Sequence, residues 1–327
     1  MTDIAFFTRL LDAAPPAKRY RLATEQIQRA ERHGFARAWV AQHHFRAEEG
    51  GLPSPFVFLS SVAERTSSIR LGTGVVTLTL EDPVRVAEDA VVADLLADGR
   101  IDLGLGSGGT PTSFAPFGLA LENKAADYER KLEVLVDALA GRELGAGNTL
   151  YPAAGSLEDR VWQATFSASG GARAGRHGHG LLLSRTQPRQ PGREQASLHE
   201  IQQPIIDAYL DALPDGVPPR ITASRTVFVA DDRAEALRFA DVGLRRQAAL
   251  FGVPEDAPLD ELIRRSDTHL GTVSEVAESL ASDATLEHAD EVAIQVHSVD
   301  APHEHVLRSL ELFAGEVAPR FGWGSGA

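Results

Sequence analysis

Cysteine is absent from the 327 residues, which excludes a disulfide framework and any thiolate nucleophile or metal ligand. A reducing cytoplasm is compatible with that absence, and a cytoplasmic location is expected. Basic residues are scarce relative to acidic ones, 32 Lys plus Arg against 46 Asp plus Glu, for a formal charge of -14. Neutralising a phosphate backbone needs clustered cations, so nucleic acid is not an expected partner. No stretch approaches the roughly 20 apolar residues that a membrane span needs, so no membrane role is expected. Residues 1–16 carry an early Asp3 and no long apolar run, and do not read as a signal peptide.

Short β-rich runs alternate with longer helical patterns, as in repeated βα units. Strands are expected over 4–7, 36–40, 69–76, 101–106, 161–167, 180–184, 226–230 and 292–297. The intervening helices carry 3.6-residue stripes: Val84, Ala87, Val91, Leu95; then Tyr128, Leu132, Leu135, Leu139; finally Val306, Leu310, Phe313, Val317. Segments 141–157 and 187–197, rich in Gly, Pro, Ser and Arg, read as loop insertions. With no internal repeat, and low complexity confined to the short Gly-rich end 322–327, the simplest account is one domain over 1–327. The fold class is α/β, a (β/α)8 barrel, whose active sites lie at the C-terminal strand ends. Fold alone leaves the chemistry open.

Four segments carry that chemistry: WVAQHHF at 39–45, IRLGTGVV at 69–76, DPVRVAEDAVVADLLADGR at 82–100 and IDLGLGSGG at 101–109. Their order and spacing resemble the bacterial luciferase-like family of flavin-dependent oxidoreductases. That family has a V-x-E-H-H-F element, a strand with a G-T-x-x turn, a D/H-P-x-R-x-x-E-D helix and a G-R-x-x-x-G-x-x-x-G strand. The match runs over roughly seventy residues, far more specific than one short motif.

Taken alone, Gly72-Thr73-Gly74 is a strand bulge or close contact. The resemblance implies that Thr73, Gly74 and Val75 form a backbone shelf for FMN, with a cis peptide between Gly74 and Val75. Ser167, Ala168, Ser169 and Gly170 stand at a strand-to-helix turn, where a serine is an ordinary N-cap and backbone N–H groups favour an anion. The resemblance places the flavin phosphate there, with Arg173 supplying charge. Ser107 occupies a position where bacterial luciferase has a phosphate-binding arginine, so the charge must come from Arg173, Arg176 or Arg185. Weak binding suits a family in which a separate reductase often delivers reduced FMN as a cosubstrate. It also leaves a deazaflavin, with hydride transfer, as the alternative cofactor.

His43 and His44 are adjacent on a strand end and point to opposite sides, which argues against shared metal ligation. His303-Glu304-His305 lacks the spacing of a zinc-protease helix, and no metal is expected. The resemblance gives His43 the catalytic role of shuttling a proton or hydrogen-bonding a peroxide. Gln42, where the family has Glu, either leaves the site more neutral or orients the turn. Phe7, Leu10, Phe45, Phe56, Phe114 and Phe117 are candidates to wall a substrate chamber or are plain core. No Arg or Lys cluster stands out, which implies a small, apolar or weakly polar substrate. Glu88, Asp89 and Arg100 read as structural ion-pair residues, and the resemblance implies a homodimer through the 84–97 helix. The expected activity is FMN-dependent monooxygenation with dioxygen; a non-catalytic flavin-binding relative is the other alternative.

Overall fold

The computed structural model describes residues 1–324, so the last three residues of the Gly-rich end lie outside the described residues. Ten strands run in parallel registers: β1 Asp3–Thr8, β2 Arg37–Val40, β3 Arg70–Thr73, β4 Val76–Thr77, β5 Ile101–Gly106, β6 Val161–Ala164, β7 Gly180–Leu183, β8 Ile221–Val229, β9 Thr268–Gly271 and β10 Glu291–Gln295. The order β10-β1-β2-β3-β5-β6-β7-β8 is closed by pairing of β10 with β8, and β4 continues the β3 stave beside β5. This is a (β/α)8 barrel with helices outside and loop insertions over 141–157 and 187–197.

All eight expected strands are present. The expected 69–76 strand is broken at Gly74 and Val75, and the strand expected at 226–230 begins five residues earlier. Sequence reasoning missed β9, a four-residue strand that pairs with the far half of β8.

Helices start where their sequences supply a stop for the strand and a cap for the first turn. Proline stands at the first turn of Pro16–Arg32, Pro55–Ala63 and Pro83–Leu96, where a missing N–H costs nothing. Asp82 caps the last of these by accepting from the amides of Val84 at 2.9 Å and Arg85 at 3.1 Å. Tyr128, Leu132, Leu135 and Leu139 are buried as expected, as are Val306, Leu310, Phe313 and Val317. On Pro83–Leu96 the buried face is Val86, Ala87, Ala90 and Val91, whereas Leu95 is 59% exposed. No described helix is long and apolar enough to cross a membrane.

Two of the three tryptophans fill the barrel. Trp39 and Trp162 meet edge to face with centroids 5.6 Å apart. In the ladders Trp39 lies opposite Gly72, and Trp162 lies between Gly104 and Gly180. Beneath them the N-terminal end is closed by charge. Asp102 Oδ2 accepts from Arg37 Nε at 2.8 Å and Arg70 Nε at 2.7 Å, and Arg37 also pairs with Glu291. The Trp39 indole donates to Glu291 Oε1 at 2.7 Å, so tryptophan layer and ionic floor are one network. Burial pushes the Asp102 carboxyl up, but Arg37 and Arg70 outweigh it and hold the pKa low. For Glu291 burial wins over Arg37 and the pKa is raised.

Candidate active site

The loops after β2 and β3 interlock at the open end of the barrel. Past Thr73 the regular β3–β5 ladder stops, and the Thr73 side chain takes its place. Its hydroxyl donates to Gly104 O at 2.8 Å and accepts from Gly104 N at 2.9 Å. The Gly74–Val75 peptide is cis, at the position the resemblance implied. Thr73 is fully buried and committed to β5, so its hydroxyl does not reach the mouth. Gly74 and Val75 stand half-exposed beyond it: Phe7 and Trp39 pack close to Gly74, and Val75 against Gly106.

Gln42 secures the next turn. Its carbonyl accepts from Thr77 N at 2.7 Å, and its amide donates to Glu81 Oε1 at 2.6 Å and Pro53 O at 3.1 Å. Of the two roles open to it in sequence, the orienting one is what these bonds perform.

The paired histidines diverge. His44 packs edge-on against Phe117, centroids 5.0 Å apart, with Phe45 beside them. His43 donates its amide to Leu52 O at 3.0 Å, and its ring closely covers Gly50. Burial drives the His43 imidazole pKa down to about 3, aided by the charges of Arg9, His44 and Arg185. The ring is therefore neutral near pH 7.

Arg9 and Arg185 follow β1 and β7; sequence reasoning missed Arg9 and offered Arg185 only as a possible source of charge for the phosphate. Arg185 Nε donates to Gln295 Oε1 at 2.8 Å and Nη1 to Thr226 Oγ1 at 3.1 Å. Arg9 donates to the backbone carbonyl of Glu49, and its Nε is buried without a partner among the described residues. No Arg or Lys cluster stands out in the sequence, yet Arg185 reaches Gln295 on β10, the stave beside β1, and feels the charge of Arg9 from the far end of the chain.

The turn after β6 gathers three hydroxyls. Ser167 Oγ accepts from Gly170 N at 3.2 Å and lies 3.1 Å from Ser169 Oγ, with Thr165 Oγ1 alongside at 3.4 Å. Ala168 and Ser169 are exposed in the first turn of the Ala168–Arg176 helix, whose leading amides have no intrahelical partner. Arg173 is not brought to this turn. It lies over the Tyr128 ring at 4.7 Å and donates to Gln163 Oε1 at 3.0 Å. A helical residue six positions into the helix projects sideways, here onto Lys124–Leu139. Ser107 sits on the rim after β5, its carbonyl accepting from Thr79 Oγ1 at 2.9 Å.

Of the apolar candidates, Phe114 and Leu10 are buried and Phe56 packs on the core, while Phe45 and Phe117 are exposed at the mouth. Arg85 bridges Glu88 and Asp89 on the helix surface, and Arg100 donates to Ile69 O at 3.1 Å and Ala63 O at 3.0 Å. The Arg85–Glu88 pair is the structural ion pair expected of Glu88, whereas Arg100 holds backbone carbonyls and no carboxylate among the described residues.

A family model described as luciferase-like monooxygenase matches residues 3–306. The 4-hydroxyprotoasukamycin monooxygenase of Streptomyces nodosus subsp. asukaensis is 32% identical over 316 residues, 89% of this chain and 84% of that protein. The oxygenase component of flavin-dependent trigonelline monooxygenase from Acinetobacter baylyi is 31% identical over 100 residues, 31% of this chain and 28% of that protein. Among solved structures, monooxygenase RslO1 from Streptomyces bottropensis is similar with a TM-score of 0.82 at 21% identity, covering 98% of this chain and 100% of that one. At that identity the likeness is one of fold.

Proposed function

The chain belongs to the luciferase-like monooxygenase family, and from that membership we propose that it is an FMN-dependent enzyme that oxidises a small organic molecule with dioxygen. The observation that carries this reading is the neutral, half-buried His43 on the loop whose Gln42 backbone amide donates to Val75 O, so that it stands on the same C-terminal rim of the barrel as the bare backbone at Gly74–Val75. Residues 1–327 would act as one catalytic domain.

The residues at the rim fit a flavin mononucleotide. The shelf offers a flat surface where a Cβ at Gly74 would already meet Phe7 at 3.0 Å, so the backbone there stays bare for a ring. The exposed hydroxyls of Ser167 and Ser169 and the first-turn amides of Ala168, Ser169 and Gly170 suit a phosphate. Reduced FMN, when bound, supplies the two electrons that activate dioxygen. His43, neutral near pH 7, would hold a hydrogen bond at the ring edge rather than deliver a full charge. Its loop is fixed by Gln42, and the exposed Phe45 and Phe117 beside His44 stand where they would screen the mouth from water.

Ser107 carries no charge and Arg173 faces another helix, so the phosphate rests mainly on neutral donors. Modest FMN affinity follows, and a separate reductase as the source of reduced flavin; the trigonelline relative is itself described as an oxygenase component. The helix Pro83–Leu96 presents exposed Val92, Leu95 and Leu96, an apolar strip suited to a homodimer contact.

Titration with FMN, riboflavin and a deazaflavin tests the reading. FMN should bind more tightly than riboflavin, and Ser169→Glu should weaken FMN by about tenfold or more while leaving riboflavin unchanged. Preference for the deazaflavin would replace oxygenation with hydride transfer. Binding of neither would leave a non-catalytic relative.

A further inference from the structure

Several buried or part-buried arginines elsewhere in this protein have carboxylates, while Arg100 and Arg220 are satisfied by backbone carbonyls. Arg37 pairs with Asp102 and Glu291, Arg160 with Asp94 at 2.7 Å, Arg189 with Asp267 at 2.7 Å and Arg225 with Asp283 at 2.5 Å. A buried guanidinium without one is expensive. Arg185, 4% exposed, has two neutral partners, Gln295 and Thr226, and its Nη2 donates to nothing among the described residues. Arg9 has a carbonyl and an orphaned Nε. Glu49 attracts Arg9, but its carboxylate accepts from Thr110 at 2.8 Å and lies 3.7 Å from Arg46.

We propose that Arg9 and Arg185 form a subsite for an ionised oxygen of the substrate, a carboxylate or an acidic hydroxyl, beside His43 at the barrel mouth. The inference rests on the reading of that mouth as a monooxygenase site, and it narrows the substrate to an organic anion.

Position separates this subsite from the phosphate turn. Arg185 leaves β7 but bonds Thr226 on β8 and Gln295 on β10, so it turns away from β6. Arg9 follows β1, which lies four staves from β6, on the opposite side of the barrel. Two forked donors suit an oxyanion, since a guanidinium can place two parallel N–H groups on one carboxylate. The electrostatics agree. Burial lowers the pKa of Arg185 to about 9, with Arg9 adding repulsion, and burial lowers that of Arg9 to about 10. An anion between them removes both penalties.

Benzoate and its neutral isostere benzamide, titrated calorimetrically into FMN-saturated and flavin-free protein, provide the test. Benzoate should bind the wild type and benzamide should not over the same range. Arg185→Gln should weaken benzoate by about tenfold or more and change oxidised FMN affinity by less than about threefold. The variant should melt at or above the wild type, because an unpaired buried charge has been removed. Absence of benzoate binding to the wild type overturns the proposal, as does unchanged binding to Arg185→Gln. Weakened reduced FMN in an anaerobic titration with benzoate unaffected also overturns it, by assigning the guanidinium to the reduced ring. So does a fall in melting temperature beyond about 5 °C, which marks a structural arginine. Arg185-dependent benzoate binding in a protein that takes no FMN would leave the anion subsite standing and remove the flavin reading.

Discussion

Gly72 lies against the Trp39 indole so closely that a Cβ at Gly72 would stand 2.2 Å from a ring carbon. Gly180 stands in the same relation to Trp162, at 2.1 Å. Each tryptophan occupies the volume that a side chain on the neighbouring stave would need. Gly72→Ala and Gly180→Ala should each destabilise by at least about 1 to 3 kcal/mol, the usual cost of overpacking. Urea melts would show it, and an unchanged midpoint would mean that the tryptophans can move aside.

Thr73→Val keeps the shape but removes both bonds to Gly104. Two buried backbone groups lose their partner, so a loss of about 1 to 3 kcal/mol is expected. Faster amide exchange at Gly104 in the variant would tie that loss to the bulge; unchanged exchange would point elsewhere.

Gln42→Glu sets a carboxyl where an amide now donates to Glu81 at 2.6 Å. Repulsion raises the folded-state pKa of the introduced carboxyl above its unfolded value of about 4.3. The folded state then binds more protons than the unfolded one, and stability falls as pH rises through the raised value. The stability gap to wild type should widen from pH 5 to pH 8 in denaturant titrations. A pH-independent gap would mean that the carboxylates separate.

His43→Ala should keep FMN affinity within a few-fold and cut substrate oxygenation by about 10²- to 10⁴-fold, the range of general acid–base assistance. Equal turnover in steady-state assays would remove His43 from the mechanism. Acid stability offers an independent reading through His43→Gln. Between an unfolded value of about 6.5 and the folded value of about 3, the unfolded chain takes up a proton that the folded site refuses. Wild-type stability therefore falls with falling pH across that window, with a slope of up to about 1.4 kcal/mol per pH unit from this group. The glutamine variant should fall less steeply.

All eight barrel staves were legible because each is a short apolar run between turn residues, a pattern local to the sequence. The position of the Gly74–Val75 cis peptide and the divergence of His43 from His44 were legible too, the first through family spacing and the second through strand alternation. Arg9 with Arg185 was not. Each is an isolated arginine in its own loop, and only barrel closure makes them neighbours. Arg173 was misplaced because a charge near a helix start says nothing of its direction around the helix axis. Leu95 fits its stripe by period yet faces outward, since periodicity alone does not fix how wide the buried face of a helix is. The strand β9 is short and pairs outside the barrel, so no missing stave announced it.

The ionic floor of Arg37, Arg70, Asp102 and Glu291, roofed by Trp39 and Trp162, stops the barrel axis from serving as a passage. In the proposed reaction, cofactor, oxygen, substrate and product would then share one doorway at the opposite rim. A bulky flavin settling across that doorway would shut in whatever lies deeper and bar whatever has not yet arrived. Traffic through a single door has to queue, and the sequence of arrivals and departures becomes a property of the floor as much as of the rim.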